Sequence, residues 1–367
     1  MRIFYCSLDS ANNYAMPWSN VWNNNLYNSL VKLGNVILPS FSVSRQYAEC
    51  FTRIKSSRTP EEARKYYSNK LFEDIKKEEN KRHINLFFSY YYSKCILPEV
   101  IDRISALGII TVNFYCNNIH QFDLVSEIAP HYDYCMFPEK EATIKYLDIG
   151  ANPIHIQMAA NPDFYKPYNL KREYDVTFVG QNYLFRQNYA EYLYKNSIDI
   201  HVWGPGWERA LRPNNNGLIN RIKSKISLNK PILPNTNVGG PLTDDELVKN
   251  YSRSKISLNF SEVSVQDKNE DFGKLKRHIR LRDFEAPMSG AFYMTGYQEE
   301  LKEYYEIGKE IICYEIKEDL LDKVRYYLKH QDEAETIRIK GHKRALKDHT
   351  WENRFEELFK KIGLNYE

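Results

Sequence analysis

The stretch YDVTFVGQNYLFRQNYAEYL, Tyr174–Leu193, sets the reading of the whole chain. Val176–Val179 is a short apolar run rich in β-branched and aromatic side chains, Gly180 opens a polar loop, and from Phe185 to Asn196 apolar residues recur at helical spacing. An apolar run, a loop and an amphipathic helix make one βα unit, the repeat from which parallel sheets are built. The alternation continues in both directions. Strands are expected before it at Arg2–Cys6, Ile84–Ser89, Ile109–Phe114, Tyr134–Phe137 and Ile154–Met158, and after it at Ile200–Trp203, Lys255–Phe260, Phe292–Met294 and Ile311–Tyr314. Helices are expected between them, with Trp22, Leu26, Leu30 and Leu33 on one face of the first, which Gly34 stops. The next opens with Thr59, Pro60 and Glu62, a capping box with proline at the first helical position.

The alternation is broken at 161–174, where Pro162 and Pro167 interrupt a stretch with little periodicity. This predicts an α/β protein of two Rossmann-like domains, 1–160 and 175–348, joined by a linker at 161–174 and facing each other across a cleft. Residues 209–241 form a basic, Asn-rich insertion in the second domain. A final segment, 349–367, carries Trp351, Phe355, Leu358 and Phe359 at helical spacing and is expected to pack back on the first domain.

At 367 residues, with 43% hydrophobic and 27% charged side chains, the chain is long enough for two folded domains and excludes collagen-like or mainly disordered classes. A net charge of +3 is too small for a dedicated nucleic-acid binder, so an anionic ligand must be met by a local cluster. Cys6, Cys50, Cys95, Cys116, Cys135 and Cys313 are scattered singly, without a zinc-type pair or disulfide framework. Together with an opening that runs from Met1–Cys6 into polar Ser7, Asp9 and Ser10, this leads us to expect a reducing, cytoplasmic location. In the insertion, Arg221, Lys223, Lys225 and Lys230 oppose Leu218, Ile222 and Ile226. Such a basic amphipathic helix over 217–230 either makes peripheral contact with an anionic membrane or polyanionic acceptor, or packs on its own domain with a solvated face.

Function is expected in the loops that follow the strands, because ligands of open parallel sheets sit beyond the strands' carboxyl ends. No GxGxxG follows the first strand of either half and no GxxxxGK occurs, which removes support for a dinucleotide dehydrogenase or a P-loop enzyme. The densest cluster is RLRDFEAPMSGAF, Arg280–Phe292, in which Arg282 and Glu285 share a helical face and Gly290 ends the turn. By spacing alone these two are either an intrahelical ion pair or a binding site. Asp244 and Asp245 lie in TDDE, where Thr243 and Glu246 read as a capping box, and DKNED at Asp267–Asp271 reads as a charged loop. No essential metal is expected.

Read in order, YDVTFVGQNYLFRQNYAEYL, IDIHVWGPGW, YSRSKISLNFS, RDFEAPMSGAFYMT and the tail GKEIICYEIKEDLLDKVRYYL with KDHTWENRFEEL resemble the donor domain of GT-B glycosyltransferases. The resemblance is narrower to the CgeB type of the family-4-like (glycosyl transferases group 1) enzymes, and it covers about Asp175–Leu358. The linker ANPDFYKP is similar to that of many GT-B enzymes. The resemblance implies a metal-independent glycosyltransferase that moves a sugar from a nucleoside-diphosphate sugar, UDP-sugar as the first choice, to a hydroxyl of a glycan, protein or lipid-linked acceptor, with retention as the family-4 precedent. It implies that Glu285 accepts hydrogen bonds from the ribose hydroxyls and that Gly180 brings backbone close to the diphosphate. Arg186 or Arg282 then neutralises the phosphates, and both are counted among the donor contacts with Gln181, Gly204, Asn259, Arg277 and Gly290. Family-4 enzymes commonly carry a glutamate where Arg277 stands, so the donor sugar's identity does not carry over. For the acceptor's proton, His120, Asp123 and Asp9 are the candidates, each against the alternative of a locally satisfied loop residue. A sugar-nucleotide epimerase of similar fold and a non-catalytic two-lobed binding protein are the competing functions.

Overall fold

The computed structural model describes residues 1–7, 19–183, 185–207, 233–265 and 274–365. Asp9, the acidic loop Asp267–Asp271 and the basic segment 217–230 lie outside the described residues. The chain divides into two compact units, one of Met1–Phe164 with Thr350–Glu367 and the other of Tyr165–His349.

In the first unit, β1 (Arg2–Cys6), β2 (Asn35–Ile37), β3 (Leu86–Ser89), β4 (Ile110–Phe114), β5 (Tyr134–Phe137) and β6 (Pro153–His155) form a parallel sheet in the order β2-β1-β3-β4-β5-β6. The first helix departs from regular α geometry: a π-helical turn at Asn23–Tyr27 precedes α1 (Asn28–Leu33), which places Leu26 and Leu30 in the core. Then come α2 (Val43–Cys50) and α3 (Pro60–Glu79), the latter opened by the Thr59/Glu62 capping box. After them lie α4 (Pro98–Ser105), α5 (Asn118–Gln121) and α6 (Thr143–Asp148).

The second unit repeats the plan. β7 (Tyr174–Val179), β8 (Ile200–Trp203), β9 (Val238–Gly239), β10 (Ser254–Asn259), β13 (Tyr293–Gly296) and β14 (Ile312–Tyr314) form a parallel sheet in the order β14-β13-β10-β7-β8-β9. Around it lie α7 (Arg186–Lys195), α8 (Asp244–Arg253), α9 (Arg282–Met288), α10 (Lys317–Lys329) and α11 (Gln331–Asp348). Val176, Phe178, Val202, Ile256, Leu258 and Met294 fill the core between sheet and helices. Where a plain loop was expected after β10, β11 (Glu262–Val265) pairs antiparallel with β12 (Lys274–Arg277). The sequence Lys274–Arg277, KLKR, is too charged to read as a strand, and its pairing with β11 makes it one.

α12 (Trp351–Lys361) closes the first unit, not the second. Thr350 bridges to Ala160 and caps the helix, whose Trp351, Phe355, Leu358 and Phe359 are fully buried. Phe355 meets Phe88 edge-on at 5.4 Å, Trp351 meets Phe114 at 5.6 Å, and Arg354 Nε donates to Gln157 O at 3.0 Å. The stretch 161–174 is held rather than loose: Asn161 Nδ2 donates to Asn24 O at 2.7 Å, and the Tyr168 amide donates to Ser252 Oγ at 2.9 Å. Among the described residues no helix is long and apolar enough to cross a membrane.

Candidate functional site

In the second sheet the chain leaves β7 toward β8 and β9, then returns to build β10 on the other side of β7. The loops after β7 and β10 therefore diverge, and the gap at a parallel sheet's carboxyl edge is where such folds take ligands. The residues at this switch point are Gly180–Arg186 after β7, Asn259–Glu262 at and after β10, and α9.

Glycines let this backbone close on itself. A Cβ at Gly180 would stand 2.8 Å from Phe178 Cζ and 3.3 Å from Arg282 Nη1, so the guanidinium rests against bare backbone there. Gly204, after β8, has φ +140°, and a Cβ on it would lie 2.2 Å from Gly180 O. Its role is thus to let the β8 loop approach the β7 loop. Trp207 is fully buried and donates Nε1–H to the same Gly180 carbonyl at 2.7 Å.

Arg186, Arg280 and Arg282 gather at this point. Arg186 is buried and spans the switch, with Nη1 donating to Gln181 O at 2.9 Å and Nη2 to Phe260 O at 2.9 Å and Tyr183 Oη at 2.9 Å. Burial pushes its pKa down to about 10; Tyr183 opposes that, and the neighbouring charges of Arg282 and Arg280 add to it. Arg282 Nη1 donates to Asn259 Oδ1 at 3.4 Å, and Arg280 Nη2 to Tyr183 Oη at 3.4 Å. Among the described residues none of these arginines has an ion-pair partner, and the Nε of each is buried without a hydrogen-bond acceptor. Clustered, partly buried cations that repel one another and keep unfilled N–H donors make a site for an anion.

Glu285, on α9, is buried, and its charge acts on Arg282 and Tyr251. Asn259 is fully buried and ties β10 to β13 through Nδ2 to Thr295 Oγ1 at 3.2 Å. Gln181 is exposed at the loop's tip. Asp283 was not singled out from the sequence, yet it organises α9: one carboxylate oxygen accepts from the Arg280 amide at 2.6 Å and the other from Tyr293 Oη at 2.7 Å. Burial holds its pKa above the usual carboxylate value. Its sequence signal was position alone, three residues from Arg280 at a helix start.

Two expected donor contacts have other occupations. Arg277 pairs with Glu262 at 3.1 Å and reaches the carbonyls of Tyr297, Tyr314 and Glu315, which fastens the β11–β12 hairpin to the strand ends. It also lines a cavity of about 530 Å³ with Phe185, Tyr189, Glu262 and Lys276. Gly290, at φ +71°, stops α9 and lies against Pro167, a backbone role. The Asp244–Asp245 pair stands in the first turn of α8 behind the Thr243/Glu246 capping box, and no metal-holding cluster occurs among the described residues.

In the first unit, His120 lies on α5 and Asp123 in the 3₁₀ turn after it, both exposed. Buried Glu139, missed in the sequence, accepts the Asn118 and Ile119 amides at the start of α5, and Lys145 Nζ donates to the Asn118 and Ile119 carbonyls at 3.0 and 2.7 Å. These two side chains hold the turn that presents His120.

Sucrose-phosphate synthase from Thermosynechococcus elongatus has a similar structure, with a TM-score of 0.57 at 13% identity over 99% of each chain. A glycosyltransferase from Rickettsia africae ESF-5 gives 0.58 at 11% over 99% of each chain. The chain has the GT-B glycosyltransferase fold. A third GT-B structure, Anabaena Alr3699/HepE in complex with UDP-glucose, gives 0.57 at 9% over 99% of each chain. Residues 185–360, most of the second GT-B unit and α12, match the family model described as glycosyl transferase-like. No curated protein sequence matches the chain.

Proposed function

We propose that this chain is a glycosyltransferase that takes its sugar from a nucleoside-diphosphate sugar. The observation that carries the reading is the convergence of Arg186, Arg280 and Arg282 at the β7/β10 switch point, with no ion-pair partner among the described residues and with a buried Nε–H on each that finds no acceptor. A departing nucleoside diphosphate offers acceptors and charge to these groups. Arginine forks fixed before the ligand arrives stabilise the leaving group as its charge develops, without reorganisation. Glu285, buried on α9, offers acceptors for a ribose diol. The glycosyl transferase-like match over 185–360 and the UDP-glucose bound to the HepE relative support UDP-sugar as the first donor to try.

The same reading makes the reaction metal-independent, since protein cations meet the leaving group. It places the acceptor hydroxyl's proton on His120, Asp123 or Asp9 and carries retention of anomeric configuration from the family-4-like resemblance. The acceptor is a hydroxyl of a glycan, protein or lipid-linked saccharide. Six free cysteines fit a reducing compartment. A panel of nucleotide sugars and their diphosphates, screened for thermal stabilisation, tests the donor class, because a ligand of the native state raises its melting temperature. Product analysis with the stabilising sugar nucleotide then decides the reaction. A transferred sugar supports the reading; conversion of the donor to its epimer, or binding without turnover, refutes it.

A further inference from the structure

The phenol of Tyr183 stands where two arginines converge. Its oxygen accepts from Arg186 Nη2 at 2.9 Å and Arg280 Nη2 at 3.4 Å, and its ring lies 3.9 Å beneath the Arg186 guanidinium. Tyr183 belongs to the loop between β7 and α7, on the carboxyl edge of the sheet. A neutral oxygen is a poor partner for two guanidinium groups. Arg186 and Arg280 each keep a buried Nε–H without an acceptor. A phosphate oxygen offers the same groups charge-assisted, fork-shaped contacts.

We propose that the Tyr183 hydroxyl occupies the donor-diphosphate site at Arg186 and Arg280 until a phosphate oxygen displaces it. The proposal rests on the donor-site reading above, which already places Arg186 and Arg280, and adds Tyr183 as the group that the phosphate must exchange. The exchange breaks two hydrogen bonds to the phenol oxygen, which then meets water or the ligand, and forms charge-assisted bonds from the same N–H groups to phosphate. Removing the hydroxyl while keeping the ring leaves those donors without their acceptor in the free protein only. The free state is then the one destabilised, and the ligand gains affinity by the same amount.

The test is calorimetric titration of UDP and of inorganic pyrophosphate into the full-length protein, Tyr183→Phe and Arg280→Gln, with melting temperatures of each free form. Tyr183→Phe is expected to melt lower when free and to bind both probes about three- to ten-fold tighter. Arg280→Gln is expected to bind both about ten-fold more weakly. A tyrosine with only a structural role would lower the melting temperature and leave affinity unchanged or reduced, and that result overturns the proposal. Should Tyr183→Phe not fold, Arg280→Gln decides alone: unchanged pyrophosphate affinity overturns it. If the wild-type protein binds neither probe, nor GDP or ADP, the donor-site reading itself fails; wild-type binding without the Tyr183→Phe gain removes only the exchange.

Discussion

Replacing Gly204 by alanine tests how the two loops of the donor site are held together. Gly204 sits at φ +140°, and its added methyl would meet Gly180 O at 2.2 Å, Gly180 C at 2.6 Å and Gln181 N at 3.2 Å. A carbon atom needs about 1 Å more than the first of these distances, so the Gly180 carbonyl must withdraw. It cannot do so freely, because it accepts the Trp207 indole N–H at 2.7 Å while the Gly180 amide donates to Trp203 O at 2.7 Å. The backbone conformation costs about 1–3 kcal/mol for a residue with a side chain, and the overlap about 1–3 kcal/mol more. The expected loss is therefore about 4 kcal/mol, the middle of that combined range. Urea unfolding monitored by near-ultraviolet circular dichroism reads it. UDP affinity should fall at least about ten-fold, since Arg282 rests on Gly180 and moves with it. A variant within about 1 kcal/mol of wild type, with unaltered affinity, would show that the loops do not depend on this contact.

Three further outcomes can be measured. Glu285→Gln should weaken nucleoside-diphosphate binding by about 1–3 kcal/mol in calorimetry, the loss expected for charge-assisted bonds to the ribose, and an unchanged affinity in the folded variant would remove Glu285 from the site. Sugar transfer should continue in EDTA; loss of activity that Mg²⁺ or Mn²⁺ restores would show that a metal supports the leaving group. Phe355→Ala empties a fully buried position against Phe88 and should lower the stability of the first unit by about 3–5 kcal/mol while nucleoside-diphosphate binding persists, as proteolysis under native conditions and titration would together report. An equal loss of diphosphate binding would contradict that separation.

The alternation of apolar runs with amphipathic stretches determined the two parallel sheets, because burying both faces of a strand demands continuous apolar residues that composition displays directly. β1, β5 and β8 begin and end where those runs do. The capping boxes at Thr59 and Thr243 were equally local, since each is a bond between residues three positions apart. What tertiary structure decided is everything that depends on which loop meets which. Edge strands β2 and β9 are too short to announce themselves, and the β11–β12 hairpin exists through its own pairing. Arg277 and Arg282 are alike in sequence, but one is pinned by Glu262 and strand-end carbonyls while the other stands at the switch point with an Nε–H that finds no acceptor. Arg280, Tyr183 and Asp283 carried no motif. Their partners lie up to 97 positions away for the Arg280–Tyr183 contact. Local spacing specifies helices and strands, whereas convergence of charge on one point is set by the order in which the strands join the sheet.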